Sequence, residues 1–128
     1  VVRLVGSEMC IRDRGGAIGA VMRYGIGYTI TANQFPWPTL LVNVIGSFML
    51  GMLSVMAINN IVSKDAVLFL GVGLLGAFTT MSTFSLETVD LLKNDQYMMA
   101  LTYSSLSFII CISCAFFGWE LGNKVQFG

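Results

Sequence analysis

The chain has 128 residues, of which 55% are apolar and only 11% charged, where soluble domains average about one half and one quarter. A water-soluble fold of this length needs many more charges to cover its surface, and mean hydropathy is +0.78. Seven basic and seven acidic residues cancel, which excludes a nucleic-acid partner. Histidine is absent, so the usual general base and metal ligand is missing.

Charges mark out the elements. The first 14 residues hold five of the 14 charges, Arg3, Glu8, Arg12, Asp13 and Arg14. They lack the continuous apolar core of a signal peptide. The stretch Glu8-Met9-Cys10-Ile11-Arg12-Asp13-Arg14 reads as translated adapter sequence joined to a reading frame. Residues 1–14 are therefore expected to be non-native, the alternative being an amphipathic collar. A single four-helix transmembrane domain is expected over residues 15–128.

Beyond that segment, Tyr24 to Ser63 gives 40 uncharged residues, broken by a turn-like stretch around Pro36 and Pro38. A further 21 lie between Asp65 and Glu87, and 24 between Asp95 and Glu120. About 20 apolar residues span a bilayer, and helices satisfy their own backbone there. The runs predict helices over 15–31, 39–58, 66–92 and 97–122, an all-α membrane protein. Trp37 and Trp119 fall near predicted ends, as interfacial anchors do. An even number of spans puts Lys64 and Lys124 on one side and Lys93 on the other. So small a bias leaves orientation open and favours an antiparallel homodimer. The three cysteines, Cys10, Cys111 and Cys114, make no disulfide framework.

Arg23 is the one basic residue inside a predicted span. It either attracts anions at a water-filled vestibule or snorkels as an anchor. Asn43 is the one carboxamide of the second span, either an anion donor or a bridge between helices. Gly46, Ser47 and Gly51 read as a close-packing face. In the third run, Gly71, Gly73 and Gly76 lead into Thr79, Thr80, Ser82, Thr83, Ser85 and Thr88. Glycine and threonine weaken helix continuity, and a break near residues 76–79 frees carbonyls for cations and amides for anions. The bland reading is a packing helix with back-bonded threonines. In the fourth run Tyr103, Ser107 and Cys111 share a face at spacing four, with Ser104 beside them. That face is either a hydroxyl track or ordinary helix–helix bonding.

Three stretches together resemble the Fluc (CrcB) fluoride channels. They are Gly15-Gly16-Ala17-Ile18-Gly19-Ala20-Val21-Met22-Arg23-Tyr24, Thr39-Leu40-Leu41-Val42-Asn43, and Gly76 through Glu87 with its Thr79-Thr80-Met81-Ser82-Thr83-Phe84-Ser85 core. The resemblance covers Gly15 to about Gly122. It implies an antiparallel, dual-topology homodimer in the bacterial inner membrane, exporting fluoride through two pores. It implies backbone carbonyls of Gly76 and Thr79 around a central structural sodium ion. Asn43, Ser82, Thr83, Phe84 and Tyr103 match pore-lining positions, with Ser107 along the track, Arg23 at the vestibule and Glu87 at a pore end. Met81 stands where many members have phenylalanine, and Cys111 where a small hydroxyl residue is common. The rival from another class is a small dual-topology multidrug exporter. That chemistry needs a carboxylate deep in the first span, where this chain has none. Paired carboxylates and an activated nucleophile are also missing, so no enzyme is expected.

Overall fold

The computed structural model describes residues 6–31 and 34–127, and every regular element among them is helical. Helix α1 spans Ser7–Thr29 and α2 spans Trp37–Ile58, with Pro38 in the first turn, where its missing N–H is harmless. Helix α3 covers residues 64–78. Helix α4 spans Met81–Lys93, and α5 spans Tyr97–Phe127.

The helix ends follow from short-range chemistry. Ser63 caps α3 by accepting from the Ala66 amide at 3.1 Å. Left-handed Asn60 closes α2 and left-handed Asp95 closes α4. At those ends the amides of Ile61 and Gln96 reach back five residues, each at 2.9 Å, to the Met56 and Leu91 carbonyls. The middle of α3, Val67–Leu75, is wound as a π-helix.

Glycines set two close helix contacts. On the first, a Cβ on Gly15 or Gly19 would strike the α3 carbonyls of Phe69 or Leu74, and one on Gly73 would strike that of Arg12. On the second, a Cβ on Gly51 would strike the Ala115 carbonyl, and one on Gly118 that of Phe48. Over the length of each pair the partners rise together in number: Gly15 meets Phe69 and Gly19 meets Leu74, while Gly51 meets Ala115 and Gly122 meets Val55. So α1 runs parallel to α3, and α2 parallel to α5. Two small cores fill the interior: Leu40, Leu91, Ala100 and Tyr103, and Val42, Leu75 and Phe78.

Most large apolar side chains face outward, including Tyr28, Phe108, Phe116 and Phe117. Three helical stretches are long and apolar enough to cross a membrane: Trp37–Ile58, Lys64–Lys93 across its break, and Tyr97–Val125. The chain is a multi-pass membrane protein. Helix α1 has 23 residues but carries Glu8, Arg12, Asp13, Arg14 and Arg23 and falls short of that apolarity.

Two boundaries differ from the sequence expectation. The first helix starts at Ser7 rather than residue 15, because Arg12 backs directly onto Gly73. An ion pair between neighbours, Arg12 to Asp13 at 2.8 Å, lies on its exposed side. Residues 1–5 of the segment expected to be non-native lie outside the described residues. The last helix runs on to Phe127, beyond the expected residue 122, whereas the break in the third span falls at Thr79–Thr80, at the far end of the expected 76–79 stretch, since Gly76–Phe78 keeps helical geometry.

Gly51→Val and Gly118→Val should each cost about 2–3 kcal/mol or more, because the obstacle is backbone that has nowhere to go. Gly25→Ala, with open space around it, should leave stability within about 0.5 kcal/mol. Thermal unfolding of the detergent-solubilised protein, followed by helical circular dichroism, checks both.

Candidate functional site

The break is built by one residue from each side of it and one from α2. Thr79 and Thr80 are extended, with ψ of 155° and 124°. The Asn43 side chain closes on Thr80 twice: its Oδ1 accepts from the Thr80 amide at 2.8 Å, and its Nδ2 donates to the Thr80 carbonyl at 3.0 Å. The Thr80 hydroxyl caps α4 by accepting from the Thr83 amide at 3.2 Å. Asn43 is therefore the bridge between helices that the sequence left open, with one amide hydrogen of its Nδ2 left over.

These diversions have a consequence for two carbonyls. In an unbroken helix the Thr80 amide would bond the Gly76 carbonyl, and the Thr83 amide the Thr79 carbonyl. Here both amides are given to side chains. Of the two residues whose carbonyls are released, Gly76 is exposed and Thr79 half-buried.

A second cluster surrounds Glu87. Its carboxylate accepts from the Thr39 hydroxyl at 2.8 Å on one oxygen and from the Tyr103 hydroxyl at 2.8 Å on the other. Tyr103 is 0% exposed. The Phe84 ring lies against it at 5.1 Å between centroids, and Phe35 meets it edge-on at 5.4 Å.

Between α2, α5 and the break lies a groove of about 740 Å³, lined among others by Asn43, Ser47, Thr79, Met81, Phe84, Ser107 and Cys111. Thr39, Asn43 and Ser47 recur every four residues on α2, and Tyr103, Ser107 and Cys111 do so on α5. Because the helices run parallel, the two stripes lie side by side. Ser107 stands out: it is 7% exposed, and its hydroxyl is the one buried side-chain oxygen or nitrogen without a hydrogen-bond partner among the described residues.

The candidate residues divide. Asn43, Met81, Phe84 and Ser107 share the groove with Thr79. Ser82 and Thr83 lie on the first turn of α4, their hydroxyls gathered on that of Thr80 at 3.3 and 3.1 Å. Tyr103 sits one turn from Ser107, against Glu87. Arg23 is half-exposed on α1 and makes no ion pair among the described residues.

Thr39, Ser47 and Thr80 had no functional reading in the sequence. The four-residue repeat through Asn43 was a signal for the first two, masked by the small-residue pattern at Gly46, whose Cβ position faces the Thr79 methyl. Thr80, three residues before Thr83, was a legible cap.

The family model of the CrcB-like proteins, also described as camphor resistance (CrcB), matches residues 13–119. A protein of Thermus thermophilus named "Fluoride-specific ion channel FluC" is 41% identical over 114 residues, covering 87% of this chain and 91% of that protein. Proteins of the same name from Thermotoga petrophila and Idiomarina loihiensis are 43% and 47% identical. They cover 85% and 80% of this chain, and 89% and 81% of their own lengths. With a match over nearly the whole helical unit, the chain belongs to the CrcB family.

Proposed function

We infer that this chain is a fluoride-selective channel that lets fluoride leave the cytoplasm across a bacterial inner membrane and so lowers its toxicity. The observation that carries this reading is a groove lined by the amide of Asn43 and the hydroxyl residues Ser47, Thr79, Thr80, Ser104 and Ser107, with the Ser107 hydroxyl buried and unpartnered among the described residues. An unsatisfied buried hydroxyl costs about 1–3 kcal/mol, which an anion passing the groove would offset. Fluoride is small and tightly hydrated, so a path for it needs several O–H and N–H donors in succession. The two side-by-side stripes supply such a series. The Phe84 ring edge carries the positive part of its quadrupole. The names of the relatives agree with this choice of ion.

The fold reading that goes with it is four spans, with α1 as the first, in an antiparallel, dual-topology homodimer. In support, α1 parallels α3 and α2 parallels α5, as alternating spans require. Large apolar side chains face outward on every helix, and Lys64, Lys93 and Lys124 give no strong orientation bias. A second copy would also close the open side of the groove. Arg23, on α1 and without an ion pair among the described residues, serves as the vestibule cation.

A structural sodium ion fits the released carbonyls of Gly76 and Thr79. Neutral oxygens suit a hard monovalent cation, and two copies of the pair give four ligands. When bound, the ion supplies positive charge that holds two subunits in register. This chain's own contribution is the Asn43 and Thr80 contacts that keep those carbonyls out of the helix ladder.

Ser107→Ala should separate conduction from folding. Losing an unpartnered buried hydroxyl should raise thermal stability or leave it unchanged, while fluoride efflux from liposomes falls about tenfold, the worth of roughly one hydrogen bond to an ion. Asn43→Ala and Asn43→Asp should nearly abolish efflux in a protein that still elutes normally. Efflux within a few-fold of wild type for Asn43→Ala would defeat the assignment, and chloride efflux serves as the control throughout.

For the sodium site, a Cβ on Gly76 meets nothing closer than the Gly71 carbonyl at 3.5 Å, ordinary contact within one chain. Gly76→Val should therefore fold and yet fail to assemble or conduct, seen as a smaller particle on size exclusion. Replacing sodium by N-methylglucamine over a long incubation should lower wild-type efflux, and returning sodium should restore it.

A further inference from the structure

Two sulfur atoms of different character line the groove. Cys111 brings a thiol from α5, and Met81, 73% exposed, brings a thioether from the first turn after the break. The remaining cysteines stand elsewhere: Cys114 does not line the groove, and Cys10 is exposed near the start of α1. Ser47 lines the same groove from α2. One turn before Cys111, Ser107 lines the same groove, and its hydroxyl is buried and without a partner among the described residues, with a lone pair or its proton to offer. Thiolate and thioether are the ligands that soft cations select, and hydroxyl oxygens complete a coordination shell only weakly.

We propose that the groove holds a binding site for a soft monovalent metal cation, silver(I) or copper(I), with Cys111 as anchoring ligand and Met81 as the second sulfur. Binding is an exchange without redox change. The Cys111 S–H bond breaks, a sulfur–metal bond forms, and the proton passes to water. If the groove is the fluoride path, an assumption that rests on the channel reading above, the bound metal occupies it and stops the flow.

Silver nitrate is the probe, in chloride-free nitrate buffer to keep silver in solution. Calorimetric titration compares two variants of the full chain: C10S/C114S, which keeps only Cys111, and C111S/C114S, which keeps only exposed Cys10. A built site should bind silver roughly tenfold more tightly in the first than in the second, because a second sulfur adds to the thiolate. Adding Met81→Leu to C10S/C114S should remove that advantage. Equal affinity in the two variants would overturn the proposal, since Cys111 would then be an ordinary thiol. So would Met81→Leu leaving the advantage intact, since the second sulfur would then lie elsewhere.

Fluoride efflux is measured on the same proteins in liposomes. Silver should reduce it about tenfold in C10S/C114S, with recovery on adding dithiothreitol, and leave the ratio with and without silver near unity in C111S/C114S. Tight binding in a protein that conducts no fluoride would keep the metal site and defeat the channel reading instead. Tight binding that leaves a conducting protein's efflux unchanged would place the metal off the ion path and overturn the block.

Discussion

A polypeptide that interrupts a helix inside a bilayer must find new partners for the polar groups it releases, because lipid offers none and each unsatisfied group costs several kcal/mol. Everything around Thr79 and Thr80 answers that constraint. Asn43 takes both polar groups of the Thr80 backbone, the arrangement a neighbouring strand would otherwise provide. The Thr80 hydroxyl takes the Thr83 amide, and Thr79 bonds back to the Leu75 carbonyl through both its amide, at 3.1 Å, and its hydroxyl, at 3.0 Å. The break is thus rigid, and three side chains define it. What they leave unclaimed, the Gly76 and Thr79 carbonyls on one side and the first amides of α4 on the other, is a paired supply of acceptors and donors in mid-span.

The position of Asn43 depends in turn on α2, and α2 is placed by its contact with α5. Gly51 and Gly118 let those two backbones touch near one end, where any side chain would hold them apart. At the other end Glu87 reaches both helices through Thr39 and Tyr103. Between these fixed points the helices separate enough to leave the groove. Close packing at one end and a hydrogen-bonded carboxylate at the other therefore set the width of the space in which Asn43, Ser107 and Cys111 meet. Small residues with polar cross-links are how membrane helices associate where no hydrophobic force drives them together.

Much of this was legible in the chain. The spacing of charges located the apolar spans, since a charge is costly in lipid and therefore rare there. Glycine and hydroxyl density located the break to within three residues. Its exact place depends on Asn43, 37 residues away from Thr80, and no local propensity carries that information. The start of α1 was hidden for a similar reason. The charges of Arg12, Asp13 and Arg14 argue against a span, while the glycine contact that orders this turn, Gly73 on Arg12, joins two distant segments. Tyr103 and Ser107 were visible as one face of α5, yet their different fates were not. A phenol reaches Glu87 where a serine one turn on does not, and that difference arises only from the tertiary arrangement.

Donor supply on this face is limited by Glu87. Each hydroxyl has one proton, and those of Thr39 and Tyr103 are both directed to the carboxylate, in charge-assisted bonds stronger than neutral ones. An anion beside Tyr103 competes with Glu87 for the same two protons and meets a like charge as well. Farther along, the competition ends. Ser107 has no partner among the described residues, and Asn43 keeps one amide hydrogen beyond the one it gives to Thr80. The stripe of donors that looks uniform in sequence is therefore divided in energy. One end is committed to a fixed carboxylate, and the middle is open to a mobile anion. On the channel reading, an anion rests most favourably between Asn43 and Ser107, and the carboxylate end is where it must be handed on.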